Sequence, residues 1–453
     1  MVGTRGPDRL VGTSGPDVVV GRGGRDVIKG LEGNDRICAG RGSDEVSAGR
    51  GRDDVRGGTG RDAVRGGRGS DDLAGKRGSD RVGGNRGFDG VTGGWGDDHV
   101  SGGRGADFLA EGRGDDTVVT GGGFFHDILM GAGDDAITGG RSVFDFVDYR
   151  RSPSSVSVNL TVGSSSGYGT DSLARIERVT GSESGDVLVG NDRTNSFFGL
   201  RGDDVISALG DPGDASGLRD IFNGDFLEGG PGDDILDGGD GFDASSYFNA
   251  SDPIVADLVA GTARGAGDDT LVDIEEVEGS RFPDTLTGDA QDNGFYGNRG
   301  DDQIDGGAGT DFARYFSFTR VEVDLRAGTS KGREAGADHL VNLEDVYGGF
   351  GPDRLFGDSG PNRIDGAWFD DVIRGRAGDD RLHGSHGRDT LDGGADNDVC
   401  WNGEKVTGCE STPAARSEGL RHALRTLLGR SSDIPRPRPG AAHSSFAKSL
   451  LHP

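Results

Sequence analysis

One aliphatic residue recurs every nine positions from Leu10 to Val118: Leu10, Val19, Ile28, Ile37, Val46, Val55, Val64, Leu73, Val82, Val91, Val100, Leu109 and Val118. Most positions around it are polar or glycine. A nine-residue period is neither the 3.6 of a helix nor the sustained alternation of an ordinary strand. It reads as a minimal strand of three residues, outward, inward, outward, with the aliphatic side chain inside. A glycine stands four residues before each aliphatic position, from Gly6 to Gly114, so the six intervening residues form a tight turn. Two nonapeptides make one coil, with a turn and a short strand on each side. The predicted architecture is a stack of such coils, a parallel solenoid.

A second column runs in register with the first. Asp8, Asp17, Asp26, Asp35, Asp44, Asp53, Asp62, Asp71, Asp80, Asp89, Asp98, Asp107 and Asp116 each lie two residues before an aliphatic position. Alternate aspartates, such as Asp8, Asp26 and Asp44, fall on the same edge of the stack. Coils stack about 4.8 Å apart, so each edge carries a close row of hard anionic oxygens. Glycine-rich turns can aim backbone carbonyls at the same place. Calcium takes six to eight oxygen ligands of these two kinds.

Composition alone would argue for disorder. The chain has 89 glycines in 453 residues, 32% hydrophobic residues and a net charge of −29. Such a chain buries too little apolar surface to offset its ordering entropy, unless something neutralises the carboxylates. The net charge is −4 over residues 1–140, −30 over 141–410 and +5 in the tail. No basic face dominates, which argues against a nucleic-acid partner, and no apolar run approaches the roughly 20 residues of a membrane span. MVGTRGPDRL already belongs to the repeat, so any export signal is expected to have been removed or to lie upstream of Met1.

GGTGRDAVR (57–65) and GGRGSDDLA (66–74) resemble the repeats-in-toxin, or haemolysin-type, calcium-binding nonapeptide. The resemblance covers nearly all of residues 1–410. It implies a right-handed parallel β-roll with calcium ions between successive turns, held by the aspartates and loop carbonyls. The ladder returns as Asp186, Asn195, Asp204, Asp225, Asp234 and Asp243, as Asp284, Asn293, Asp302 and Asp311, and as Asp353, Asn362, Asp371, Asp380, Asp389 and Asp398. The expected metal ligands are the thirteen aspartates of the first run together with Asp204, Asp225, Asp234, Asp243, Asp302, Asp311, Asp371, Asp380, Asp389 and Asp398. Asn195, Asn293 and Asn362 mark either weak or empty sites, or positions where asparagine merely suits the turn. Arg22 and Asp396 replace turn glycines and put their turns in doubt.

The expected organisation is four arrays, 1–145, 186–243, 284–311 and 353–410, with β spacers at 146–185, 244–283 and 312–352 and a basic tail at 411–453. Tyr149, Tyr247 and Tyr315 each lie four residues after a ladder-like aspartate. Glu177, Glu275 and Glu344 lie nine before the next one, so the register resumes with glutamate in the ladder position. VSVNL and VEVDL alternate like strands. The spacers read as hairpin-like plugs between rolls, with glycan binding through the tyrosines as the other reading.

Other motifs carry less. GSSSG (163–167) matches G-x-S-x-G but lacks a following helix signal. Arg-Gly-Asp at 113–115, 201–203 and 299–301 follows from the repeat itself. His383 and His386 lack nearby partners for a zinc site and read as solvated surface. No outward threonine row supports ice binding. Cys400 and Cys409, nine apart on the expected inward column, should form a capping disulfide in an oxidising compartment, or else remain buried thiols. Cys38 lies one step off that column without a partner. Leu420, Leu424, Leu427 and Leu428 give the tail one apolar helical face before IPRPRPG breaks it, so the tail is expected to be a short helix or disordered.

The resulting expectation is an all-β β-roll that folds on binding calcium, non-catalytic, secreted or on the cell surface, with a structural, matrix or adhesion role. The alternative is the calcium-binding part of a secreted hydrolase, epimerase or toxin.

Overall fold

The computed structural model describes residues 1–123, 125–140, 144–210 and 224–410. The expected tail helix lies outside these residues. Among the described residues every regular element is a β-strand, and no helix is long and apolar enough to cross a membrane. The chain forms two compact units, residues 1–245 with 267–274, and 246–266 with 275 onward.

In the first unit, strands 18 residues apart pair in parallel. One sheet stacks Ile28, Val46, Val64, Val82 and Val100. The other stacks Val19, Ile37, Val55, Leu73 and Val91. These side chains face one another and are almost fully buried. The strands here are longer than the three residues expected. Ala63–Arg68 runs through both glycines of the next repeat, because Gly67 adopts a φ of 129° and still pairs with Gly49. Non-glycine residues also fit this second-glycine position. Arg22, Lys76 and Asn85 take it in the left-handed region, at φ 78°, 87° and 80°. The next glycine cannot vary so freely: Gly69 has a φ of 140°, and a Cβ there would lie 1.6 Å from the Gly51 carbonyl oxygen.

The first spacer contains three strands rather than a hairpin. Ser157–Asn159, Ser164–Ser166 and Thr170–Ala174 form an antiparallel meander. Its last strand pairs in parallel with Ala136–Thr138 and its first with Val187–Val189. On the other sheet Val147 pairs directly with Val179, so one sheet gains two strands while the other continues undisturbed. The Asn159 side chain accepts from the Val162 N–H and forms the first turn.

The second unit repeats this plan. Leu286 stacks on Ile304, and Val346 on Ile364, Leu382 and Cys400. Val321–Asp324, Thr329–Gly332 and His339–Val341 form its spacer meander, with Asp324 accepting from the Ala327 N–H. Val255–Asp257 and Thr262–Arg264 form the corresponding antiparallel pair of the second spacer.

Cys400 is bonded to Cys409 across a Cα separation of 6.0 Å. Only Cys400 lies on the inward column. The final coil is short, so Val406 rather than Cys409 pairs beside Leu391, and Cys409 reaches back from beyond the strand. His383 and His386, expected as solvated surface, are half-buried and each has a partner. His383 Nδ1 lies 2.8 Å from an Asp365 carboxylate oxygen, and His386 stacks on Trp368 at 4.3 Å.

Candidate metal centre

Within the arrays the ladder aspartates after the opening ones are held the same way on one side, while Oδ1 of Asp186, Asp284 and Asp353 accepts instead from the Val156, Ile254 and Val321 N–H groups. In the regular coils Oδ1 accepts the backbone N–H of the ladder residue one coil earlier: Asp62 from Asp44 at 2.8 Å, Asp71 from Asp53 at 2.9 Å, Asp80 from Asp62 at 2.7 Å. This bond fixes the carboxylate against the stack and points its second oxygen into the turn.

The fate of that second oxygen divides the ladder in two. In the larger class of turns Oδ2 is buried and receives no hydrogen bond. This holds at Asp26, Asp35, Asp44, Asp53, Asp62, Asp71, Asp80, Asp89, Asp98, Asp107 and Asp116. It also holds at Asp204, Asp234, Asp302, Asp371, Asp380, Asp389 and Asp398. Asp26 and Asp398 are included, so Arg22 and Asp396 leave their turns unaltered in this respect. A carbonyl oxygen converges on the same space. A Cβ built on Gly57 would lie 2.6 Å from Asp62 Oδ2 and 2.9 Å from the Gly75 carbonyl oxygen. Gly66 faces Asp71 Oδ2 and the Gly84 carbonyl in the same way, at 2.4 and 2.9 Å. Buried oxygens without donors are costly, and carboxylate and carbonyl oxygens gathered around a common space fit a hard cation.

The second class needs no cation. Asp8 and Asp17 accept from the backbone N–H groups of Thr4 and Thr13, both at 2.6 Å. Asp186, Asp284 and Asp353 accept from Ser182, Ser280 and Gly349. Asn195, Asn293 and Asn362 accept from Asn191, Asp289 and Asp358 at 2.7–2.8 Å. Each of the four arrays therefore opens with two ladder residues whose side-chain oxygens are satisfied by the turn's own backbone. Asp8 and Asp17, expected as ligands, belong to this class. The asparagines differ from their neighbours less than their charge suggested.

The arrays also close internally. Asp171 Oδ2 receives the Tyr149 hydroxyl at 2.9 Å and the Ser165 hydroxyl. Asp338 Oδ2 receives the hydroxyls of Tyr315 and Ser330. The spacer tyrosines are buried and two of them terminate the ladder, an arrangement that leaves no ring face for a glycan. Ser165 of GSSSG sits within this network on a strand, away from any nucleophile turn.

Several ladder members escaped the sequence reading. Asp135, Asp234 and Asp302 donate their N–H groups to Asp171, Asp269 and Asp338. These spacer aspartates each lie two residues before a leucine, the same signal as in the arrays. Glu177 and Glu344 accept from Asp145 and Asp311 as expected, and Glu404 does so from Asp389. His126 was hidden by a one-residue insertion. It is fully buried, with Nδ1 2.6 Å from Asp145 Oδ1 and Nε2 3.7 Å from Asp107 Oδ2.

Burial pushes the carboxyl groups of Asp62, Asp71, Asp98 and Asp116 up to about 7. Backbone donors oppose the shift and ladder neighbours add to it by repulsion. Asp302 rises to about 8 and Asp371 to about 9, again chiefly by burial. Each group thus holds its proton more tightly in the roll than in the unfolded chain. The stability this gives a metal-free roll is fully present below about pH 4 and is lost as the pH rises through about 7 to 9. With chelator present, far-UV circular dichroism should therefore show more β structure at pH 5 than at pH 8. Equal signals would remove the ladder carboxyls as the cause.

A family profile described as RTX calcium-binding nonapeptide repeat (4 copies) matches residues 2–37, 11–46, 39–73, 47–82, 75–109, 92–124, 180–211, 224–244, 278–313, 347–368 and 365–400. Together these segments cover more than half of the chain. No curated protein matches it.

Proposed function

Because this chain belongs to the family of RTX calcium-binding nonapeptide repeats, we propose that it is a calcium-folded scaffold without catalytic activity, secreted or displayed at the cell surface. The observation that carries this reading is the row of buried, donorless Oδ2 atoms, bounded in each array by carboxylates that satisfy themselves. Asp26 to Asp116 in the first array, and Asp204, Asp234, Asp302 and Asp371 to Asp398 later, would hold the ions together with turn carbonyls. Calcium supplies the positive charge that lets these carboxylates stay ionised and close together. The residues do the rest: Oδ1 ties each coil to the last, the glycines admit the close approach, and the aliphatic column excludes water.

A scaffold role outside the cell is supported by the affinity range of extracellular calcium modules, about 10⁻⁴–10⁻³ M, and by the Cys400–Cys409 bond. At cytosolic calcium levels such a chain stays open and fit for export. The repeats and meanders occupy most of the described residues, which favours the roll itself as the working part.

Calcium titration followed by far-UV circular dichroism tests the reading. A coil-like signal in chelator at pH 8 should convert to a β signal at millimolar calcium, and magnesium at the same concentration should not replace it. A chain equally rich in β structure with and without chelator would overturn the proposal.

A further inference from the structure

The first array carries a second row, this one cationic. Arg50, Arg68, Arg86 and Arg104 are cross-strand partners in consecutive strands of one sheet. All four are exposed, at the strand pitch of about 4.8 Å. Arg50 pairs with Glu32 at 3.1 Å. Among the described residues no carboxylate lies within ion-pair distance of Arg68, Arg86 or Arg104. Like charges directly opposite one another destabilise a sheet. On the other edge the chain avoids that cost. Thr59 interrupts the row there, and Trp95 takes the guanidinium groups of Arg77 and Arg113 over its ring at 5.0 and 5.5 Å. No such relief stands between Arg68, Arg86 and Arg104.

The charge of this array depends on the ladder beneath it. Residues 1–140 hold 23 acidic and 19 basic side chains. Three divalent cations would already turn their net charge positive, and the array offers eleven donorless Oδ2 atoms from Asp26 to Asp116. An exposed phenylalanine, Phe88, stands two residues beyond Arg86.

We propose that the Arg68–Arg86–Arg104 row is a docking surface for a linear anionic polysaccharide laid along the roll axis, available once calcium has neutralised the ladder. The proposal rests on the calcium-folding reading above. The row is straight and evenly pitched, which suits an extended chain with carboxylate or sulfate groups on successive sugars. Duplex phosphates instead wind around an axis. Arginine binds such anions in bidentate fashion, and Phe88 offers a flat apolar face to a sugar ring.

The test measures fluorescence anisotropy of labelled dextran sulfate with the full chain in millimolar calcium. Neutral dextran, duplex DNA and phosphatidylserine vesicles are run in parallel. The parent should bind dextran sulfate in a salt-sensitive way, not neutral dextran, and lose binding in chelator. A chain with Arg68→Gln, Arg86→Gln and Arg104→Gln should lose at least about tenfold in affinity while keeping its calcium-induced circular dichroism. A charge-matched chain with Arg326→Gln, Arg354→Gln and Arg388→Gln should bind like the parent. Equal losses in both variants, no loss in the first, or tighter binding to DNA or vesicles than to dextran sulfate would each overturn the proposal. If the chain is already β-rich in chelator and binds there, the calcium-folding reading fails and the row survives. If calcium folds the chain and dextran sulfate does not bind, the row fails alone.

Discussion

A chain carrying Asp62→Asn, Asp71→Asn and Asp80→Asn will need at least about tenfold more calcium to reach its half-folded signal, whereas one carrying Asp186→Asn, Asp284→Asn and Asp353→Asn will titrate within about twofold of the parent. Both variants remove three charges. They differ in what the lost oxygen was doing. Oδ2 of Asp62, Asp71 and Asp80 faces the turn interior without a donor, and an amide nitrogen there would face a cation with its hydrogens. In chelator this variant should be no less ordered than the parent, since it also loses the burial and repulsion that raise Asp62 and Asp71. At Asp186, Asp284 and Asp353 the oxygen already accepts a backbone N–H. Asn195, Asn293 and Asn362 show that an amide oxygen serves the same purpose one half-coil later. Calcium-titrated circular dichroism with bound ions counted by equilibrium dialysis decides the matter. Equal shifts in the two variants would show that the distinction between the two classes has no bearing on binding.

Gly69→Ala should destabilise the calcium-loaded roll by about 3 kcal/mol, and Lys76→Gly should hold or raise its stability. Alanine is small, so size is not the cause. At φ 140° its Cβ would meet the Gly51 carbonyl oxygen at 1.6 Å, and that oxygen belongs to the backbone of the coil below. The coils would have to separate, breaking the Gly51 N–H bond to the Arg68 carbonyl. Lys76 sits at φ 87°, where glycine is preferred but a side chain is tolerated. Thermal melts in excess calcium read both effects. A Gly69→Ala chain melting with the parent would mean that the neighbouring coil yields more easily than its geometry indicates.

The period and both columns were legible because a solenoid repeats one environment at every coil. Position and chemistry coincide there, so Asp62 and Val64 announce the ligand and core roles of every equivalent residue. The sequence was less informative wherever identity and environment part. Asp186 and Asp204 are the same residue type in the same column, yet one oxygen is bonded by Ser182 and the other is left without a donor. That difference lies in the backbone path of the turn: Leu200 before Asp204 takes a φ of 81°, whereas Ser182 at the same place before Asp186 aims its N–H at the carboxylate. His126 was missed because an added residue moved the ladder by one place. The tyrosine role was missed because Asp171 and Asp338 lie far from Tyr149 and Tyr315 along the chain, and only the folded meander joins them. The length of the strands could not be read from the aliphatic column, since their outer half consists of glycines with no side chain to bury.

The meanders have one more consequence, for error during assembly. A run of near-identical coils can pair one coil out of step and still satisfy nearly every bond, because each unit fits its second neighbour as well as its first. Thirteen repeats in sequence carry that ambiguity to the end of the run. A meander does not fit a coil, and Tyr149 bonds to Asp171 and Ser165 of its own meander. Each spacer therefore acts as a frame mark, confining a slipped pairing to the array in which it arose and leaving the next array to start afresh.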